Sequence, residues 1–152
     1  MSYSIFYGNS MNSNPDTITT ALEMAAQKWP ERAALCAVEK QLNWRELYNK
    51  VEHLARYWSA MGVGPKSTIA CFTDKKPEVV ITFLICCRLG AIYCPVNFKL
   101  KPKHIRDQLK TANISVVVTQ RDRKPILDET LSVLTDPIVI FSIDGTRSSN
   151  PS

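Results

Sequence analysis

Strand-like and helix-like segments alternate along most of this chain, and that alternation constrains its fold more than any other feature. Three short apolar runs have the length of buried strands, at residues 68–73, 91–95 and 115–119. Each is followed, after a short connection, by a stretch with helical spacing of apolar residues. Because strands joined through helices pair in parallel with right-handed crossovers, the pattern predicts an α/β fold. We expect alternating strands and helices, with a mostly parallel sheet and helices on both faces.

The clearest helix is predicted at residues 43–61. Asn43 and Glu46 have the spacing of a capping box, in which each side chain satisfies the other residue's backbone N–H. Gly62 stands where a left-handed residue commonly ends a helix. Apolar side chains at helical spacing form one stripe between these two signals: Leu47, Val51, Leu54, Ala55, Trp58 and Met61.

Local patterns also place the remaining elements. Further helices are predicted at residues 17–28, after a cap by Asp16 and Thr17, and at residues 78–89, 102–112 and 126–134. The helix at 78–89 is apolar almost all round, which predicts deep burial. Residues 33–38 and 138–141 are predicted as the first and last strands of the alternation, and a second short strand is expected to end at Leu42, after a turn near Glu39 and Lys40.

The length of 152 residues favours one domain. Residues 1–15 are polar and rich in Ser and Asn, which predicts a flexible lead-in. Residues 16–142 hold all the periodic segments and form the expected domain. Residues 143–152 are polar again and predict a tail.

The formal charge of +5 permits an acidic partner without requiring one. The basic residues are densest at residues 99–104 and 121–124, and both stretches are interrupted by Pro, Asp or apolar residues. Such stretches are more typical of solvated helix ends than of a nucleic-acid surface. We therefore expect no nucleic acid as a partner.

The cysteines indicate a reducing compartment. There are five, an odd number, four lie in apolar runs, and none has the spacing of a metal site. The N-terminus carries no targeting signal that can be read, so a cytoplasmic location is expected. The most apolar stretch, 79–96, is interrupted by Arg88, Gly90 and Pro95, and a charge at its centre argues against a membrane span.

Residues that could carry chemistry have stronger structural interpretations. No glycine-rich phosphate loop is present, and the turn that begins at Gly62 follows a helix, whereas a phosphate cradle follows a strand. His53 and His104 are interpreted as surface histidines. Cys86 and Cys87 are adjacent on a buried helix and point about 100° apart, which favours core packing over a shared metal. The acidic pair at 128–129 is expected near a helix N-terminus.

One candidate site remains, at the carboxyl edge of the predicted sheet. Ligands of open parallel sheets bind beyond the carboxyl ends of the strands. Three polar, mostly basic loops are expected there, at residues 73–76, 97–99 and 119–121. Such a rim can meet an anionic ligand, although ordinary solvated loops have the same composition.

Several stretches, taken together and in order, resemble one family of enzymes. Leu42-Asn43-Trp44-Arg45-Glu46-Leu47 is similar to its Leu-[Thr/Ser]-Tyr-x-Glu-Leu motif. Other similar stretches are Gly62-Val63-Gly64-Pro65-Lys66, Pro77-Glu78 with Phe83-Leu84, Arg88-Leu89-Gly90-Ala91-Ile92-Tyr93-Cys94-Pro95-Val96-Asn97, Leu100-Lys101-Pro102 with Leu109, and Ser115-Val116-Val117-Val118-Thr119. The resemblance, over residues 16–119, is to the N-terminal part of adenylate-forming (AMP-binding) enzymes, and the spacing looks more like an acyl-CoA synthetase than a peptide-synthetase module.

The resemblance implies a parent activity. Members of this family use ATP and magnesium to activate a carboxylic acid as an acyl-adenylate, and many transfer the acyl group to coenzyme A. The family's Ser/Thr/Gly-rich phosphate loop, its Thr-Glu motif, its ribose-binding Asp and its C-terminal lysine have no counterpart in this sequence. We therefore assign no catalytic, cofactor-binding or metal-binding residue, and expect a truncated chain that is inactive alone.

Two local departures and two alternatives accompany this interpretation. Ser67 replaces the family's usual Asp, and Lys101 replaces the Thr before Pro102. One alternative is a non-catalytic binding or regulatory module that pairs with a full-length ligase, since exposed sheet edges favour association. Partners would then be the remainder of a ligase or a homologous full-length enzyme. The other is an α/β nucleotide binder unrelated to the family.

Overall fold

The structure is a computed structural model that describes residues 17–38, 40–74, 77–97, 99–132, 138–143 and 147–149. The helices are α1 (Ile18–Lys28), α2 (Trp44–Ala60), α3 (Pro77–Leu89), α4 (Pro102–Thr111) and α5 (Lys124–Leu131), with a 3-10 turn at Arg121–Arg123. The strands are β1 (Ala33–Ala37), β2 (Lys40–Asn43), β3 (Thr68–Phe72), β4 (Ile92–Pro95), β5 (Val116–Thr119), β6 (Val139–Ser142) and β7 (Arg147–Ser149).

Five strands form the main sheet in the order β4-β3-β5-β6-β7. Ile69 of the central strand β3 lies opposite Tyr93 of β4 and Val116 of β5, and all three pairings from β4 to β6 are parallel. Helices α3, α4 and α5 are the crossovers between them. The predicted α/β fold with a mostly parallel sheet is confirmed.

The two faces of the sheet carry separate apolar cores. Ile69 packs in a cluster with α1, α2 and α3, whereas its neighbours Ala70 and Phe72 pack in a second cluster with α4 and α5. This division follows from the alternation of side chains along a strand. Both sides of β3 are covered, so every residue from Thr68 to Phe72 is buried. Helices therefore lie on both faces, as predicted.

Helix α2 has the ends that its sequence predicts. Glu46 N donates to Asn43 Oδ1 at 2.8 Å, and Asn43 N donates to Glu46 Oε2 at 2.9 Å, so both arms of the capping box are formed. Gly62 has a φ of +87°, the left-handed conformation expected after the helix. The stripe of α2 faces the sheet, where Trp58 stacks on Phe141 with ring centroids 4.7 Å apart.

The first predicted strand lies outside the main sheet, which corrects its place in the alternation. β1 pairs antiparallel with β2, with Cys36 opposite Gln41, in a separate two-stranded hairpin. Only two residues separate these strands, and a parallel pair needs a crossover of a dozen residues or more. The hairpin packs half-buried side chains, Leu35 and Leu42, against the core formed with α2.

Three details differ from the sequence predictions. Helix α3 is not buried all round, because Val80 and Phe83 are exposed at 40% and 37% of their surface. Helix α5 begins two residues earlier than predicted, so Asp128 lies in its second turn rather than at its N-terminus. There its carboxylate pairs with Lys124 Nζ at 2.6 Å. The predicted polar tail, 143–152, contains strand β7. The predicted lead-in, 1–15, lies outside the described residues.

Candidate functional site

Two loops at the carboxyl edge of the sheet are joined by one buried side chain. Gln120 follows β5 and is almost fully buried. Its side-chain oxygen accepts hydrogen bonds from Thr73 Oγ1 and from the backbone N of Asp74, the latter at 3.2 Å, and both donors follow β3. Because β3 and β5 are adjacent, two polar segments 46 and 47 residues apart in sequence meet at this point.

An ion pair reinforces the same connection. Arg123, in the 3-10 turn after β5, donates from its guanidinium to Asp74 Oδ1 at 3.2 Å. Both side chains are partly exposed, so the pair contributes about 0–1 kcal/mol on its own. We call the group formed by Thr73, Asp74, Gln120 and Arg123 the loop clamp.

Among the described residues, no hydrogen bond joins the third predicted loop to the loop clamp. Lys99 N donates to Asn97 Oδ1 at 3.0 Å and Leu100 N donates to Asn97 O at 3.1 Å, so this loop closes on itself. Gln108 of α4 holds its start by donating to the carbonyl of Pro95 at 3.1 Å. Lys75, Lys76, Phe98 and the side chain of Arg121, which also belong to the predicted rim, lie outside the described positions.

The loop clamp is suited to holding loops and offers little for catalysis. The amide of Gln120 is neutral, the hydroxyl of Thr73 is already a donor, and the carboxylate of Asp74 is paired with a guanidinium. A general base must instead reach a substrate proton, and a nucleophile needs such a base beside it. The loop clamp thus fixes the positions of the two loops that follow β3 and β5.

A cavity of about 440 Å³ opens between α2, α3 and the carboxyl ends of β5 and β6. Its size is within the range of small-molecule sites. Most of its wall is apolar. It is lined by Lys50, His53, Leu54, Tyr57, Trp58, Glu78, Ile81, Thr82, Ile85, Val118, Phe141, Ser142 and Ile143.

Sequence reasoning did not find this cavity. The sequence predicts a surface histidine at position 53, and His53 is exposed, yet it also lines the cavity. The apolar stripe of α2, which carries Leu54 and Trp58, predicts that the helix packs on the core, but it does not predict a cavity beside the helix. The lining comes from four separate stretches of chain, and no local pattern joins them. His104 is exposed in the first turn of α4, as predicted.

The buried thiols are poor nucleophiles. Burial raises the pKa of Cys86 to about 12 and also raises the pKa values of Cys71 and Cys94. The thiolate is the reactive form, and at neutral pH these side chains stay protonated. Within the described residues, no group of three or more His, Cys, Asp or Glu side chains could hold a metal ion. In that same part of the chain, no helix combines the length and apolarity needed to cross a bilayer.

Comparison with known proteins identifies the family. A sequence model of the AMP-binding enzymes matches residues 22–151, which is most of the chain. The chain belongs to the AMP-binding enzyme family. Tyrocidine synthase 3 of Brevibacillus parabrevis is 31% identical over 118 residues, covering 78% of this chain and 2% of that protein. Acetyl-coenzyme A synthetase of Halorhodospira halophila is 30% identical over 81 residues, covering 53% of this chain and 13% of that protein.

Solved structures of CoA ligases share the fold. A long-chain-fatty-acid CoA ligase, so described for Rhodopseudomonas palustris, superposes with a TM-score of 0.80 at 24% identity, over 88% of this chain and 34% of its own. The anthranilate CoA ligase AuaEII, in complex with anthranoyl-AMP, gives a TM-score of 0.79 at 21% identity, over 87% of this chain and 26% of its own. This AMP-binding chain therefore spans about a third or less of the length of the relatives it matches.

The two departures from the family's motifs have different structural outcomes. Ser67 replaces the usual Asp of the turn before β3, and its hydroxyl accepts from Gly64 N at 3.1 Å, so a side-chain oxygen still closes the turn. Lys101 replaces the usual Thr at the N-cap of α4, and it makes no side-chain cap hydrogen bond. A side chain thus closes the turn before β3, whereas the first turn of α4 has no side-chain cap.

Proposed function

We propose that this chain supplies part of the scaffold of an adenylate-forming acid–CoA ligase. In that reaction a carboxylate attacks the α-phosphate of ATP, forming acyl-AMP and releasing pyrophosphate, and the thiol of coenzyme A then displaces AMP. The observation that supports the proposal is the family match over residues 22–151, together with superposition onto about a third of a CoA ligase. ATP, magnesium and coenzyme A belong to the complete reaction.

The role we assign to these residues is structural. The loop clamp fixes two loops at the edge where parallel sheets bind ligands, and its polar atoms are engaged with each other. Among the five glycines, no spacing gives a phosphate-cradling loop. We propose that this chain alone does not form an adenylate.

Acid-dependent exchange of label between pyrophosphate and ATP tests this directly. The purified 152-residue chain would be assayed with magnesium, ATP and a panel of short, long and aromatic carboxylic acids. An acetyl-CoA synthetase with acetate serves as the positive control. We expect no exchange above the no-acid blank; exchange that depends on an added acid would overturn the proposal.

A second candidate is a regulatory module that pairs with a full-length ligase, and one described surface favours it. Val80 and Phe83 of α3 and Ile92 of β4 are exposed, and Phe83 packs edge-on against Tyr93 with ring centroids 5.5 Å apart. Exposed apolar groups on neighbouring elements are typical of contact surfaces.

Pairing through the backbone edge of β4 is less favourable. Ile92 N donates to the carbonyl of Ser67, just before β3, and Val96 N donates to the carbonyl of Cys71 in β3. The backbone polar groups of the intervening Tyr93 and Pro95 therefore point away from β3. Pro95 has no N–H, and its carbonyl accepts from Gln108. A partner would therefore contact side chains rather than extend the sheet at β4.

Light scattering of the chain mixed with a full-length family member distinguishes the two candidates. A heterodimer that is lost in a Phe83→Ser variant, and kept in a Tyr57→Ser variant, would support the regulatory module. Absence of any complex, with both variants folded by circular dichroism, would favour the scaffold role alone.

A further inference from the structure

The positive charge of this chain is concentrated in one segment. Between residues 99 and 124 there are eight of the 19 basic residues and two of the 14 acidic ones, which gives a formal charge of +6. The rest of the chain carries −1. The excess positive charge of the protein is therefore the charge of α4 and of the loops beside it.

Internal ion pairs neutralise part of this segment but not its first loop. Arg123 pairs with Asp74 and Lys124 pairs with Asp128. In contrast, Lys99, Lys101 and Lys103 are exposed, and none forms an ion pair with another described residue. Their ammonium groups stand in solvent within five residues of chain.

An exposed leucine lies among these lysines. Leu100 leaves 41% of its surface accessible, although the apolar residues of the following helix, Ile105 and Leu109, are fully buried. Leu100 therefore does not contribute to the core formed by α4. We call residues 99–103, which include the first two residues of α4, the basic loop.

We propose that the basic loop binds an anionic lipid surface. The ammonium groups of the lysines would lie among lipid phosphates and carboxylates, and Leu100 would enter the boundary between head groups and acyl chains. Each lysine near an anionic membrane surface is attracted to it, and an apolar side chain that enters the boundary between head groups and acyl chains adds to the binding. The exposed face of α4 beyond the loop adds Lys110, and its only acidic residue is Asp107.

The same observations are less suited to nucleic acid or to an acidic protein. Nucleic-acid surfaces combine basic residues with arginine forks and stacking aromatics, and the basic loop offers lysines and an aliphatic side chain. An acidic protein partner would need a pocket for Leu100. A lipid surface needs neither a pocket nor a fixed register, since lysines are flexible point charges.

The expected size of the effect follows from the number of charges. Each lysine near an anionic membrane increases partitioning by about fivefold. Removing three would decrease it on the order of a hundredfold. Loss of the leucine side chain would weaken binding by roughly three- to tenfold, since only part of it is free to enter the bilayer.

Cosedimentation of the full 152-residue chain with vesicles tests the proposal. One set would be phosphatidylcholine alone, and the other would contain about 30 mol% phosphatidylserine, which gives a strongly negative surface. We expect binding to the anionic vesicles only, and its loss as salt rises from about 0.1 M to about 1 M. The triple variant K99Q/K101Q/K103Q should lose binding.

A matched control removes the same charge elsewhere. In the variant K28Q/R56Q/K66Q, three exposed cations outside the basic loop are neutralised, and we expect binding close to that of the unchanged chain. The single variants K99Q and K103Q, at about fivefold each, and Leu100→Ser give readouts if the triple variant folds poorly by circular dichroism.

Three results would overturn the proposal. The first is no binding to anionic vesicles at low salt. The second is equal loss in the two triple variants, which would indicate net charge rather than the basic loop. The third is that the chain binds a single-stranded RNA as tightly as it binds anionic vesicles, and that Leu100→Ser weakens neither interaction. That result would indicate a general polyanion surface.

Discussion

Arg88 Nε lies 2.5 Å from Glu52 Oε1, and this pair holds a charge at the centre of the most apolar stretch of the chain. Arg88 is on α3 and Glu52 is on α2, 36 residues earlier. The hydrogen bond that Arg88 donates to Glu52, together with the charge of that carboxylate, raises the pKa of Arg88, and burial offsets only part of the increase. The pair thus connects α2 and α3 on the face of the sheet where both helices pack.

A double-mutant cycle should detect this pair. Because Glu52 is mostly buried, with 15% of its side chain exposed, we expect Glu52→Gln and Arg88→Gln to be coupled by about 1 kcal/mol in unfolding free energy. The pair Glu31–Arg45, at 3.2 Å and much more exposed, is the control and should couple by less than about 0.5 kcal/mol. Urea titrations of the four variants in each cycle measure both values, and equal coupling would contradict the account.

Gln120 should matter more for stability than any exposed glutamine. Gln120→Ala removes the acceptor of two hydrogen bonds at a buried position, leaving Thr73 Oγ1 and Asp74 N without it. We expect a loss of about 1–3 kcal/mol in unfolding free energy. Gln27→Ala, at an exposed site on α1, should change it by no more than about 0.5 kcal/mol. Similar urea midpoints for both variants would show that the loop clamp contributes little.

Restoring a cap to α4 should stabilise the protein. Lys101 makes no cap hydrogen bond and places a cation at the positive end of the helix. Lys101→Ser should therefore raise the unfolding free energy by about 0.5–1.5 kcal/mol. Lys110→Ser, in the last turn of the same helix, removes a favourably placed cation and should not stabilise it. Thermal unfolding of both variants gives the sign of each change.

Stability should fall at high pH in part through Cys86. Its pKa rises from 9.0 to about 12 on folding, mainly because burial disfavours the thiolate. Between these values the unfolded chain has lost the proton and the folded chain still holds it, so the unfolding free energy decreases as pH increases. Cys86→Ala should make this decrease shallower, whereas Cys36→Ala, at an exposed position, should not. Urea midpoints measured from pH 8 upward test the difference, and parallel curves for all three proteins would refute it.

Local signals in the sequence predicted most of the elements, and contacts between distant segments could not be predicted. The capping box of Asn43 and Glu46 and the glycine at 62 each depend on a few neighbouring residues, and both are confirmed. The hydrogen bond between Thr73 and Gln120 depends on β3 and β5 being adjacent, which the order of strands in sequence does not reveal.

The predictions that were wrong also concern features that depend on contacts with other segments of the chain. The pattern of residues 33–38 indicated a strand correctly, but the pairing partner was decided by the short turn to β2. The apolar composition of α3 predicts deep burial, yet Val80 and Phe83 are exposed because neighbouring elements cover only part of the helix. The cavity beside Trp58 depends on the exact approach of α2, α3 and β6, and the spacing of apolar residues does not specify it.

Calorimetric titration of the purified chain with magnesium-ATP tests the central claim most directly. If this chain of an AMP-binding enzyme is scaffold without a nucleotide site, ATP should produce no saturable heat, while an acetyl-CoA synthetase binds it under the same conditions. Saturable binding of ATP to the chain alone, abolished by unfolding it, would contradict the account.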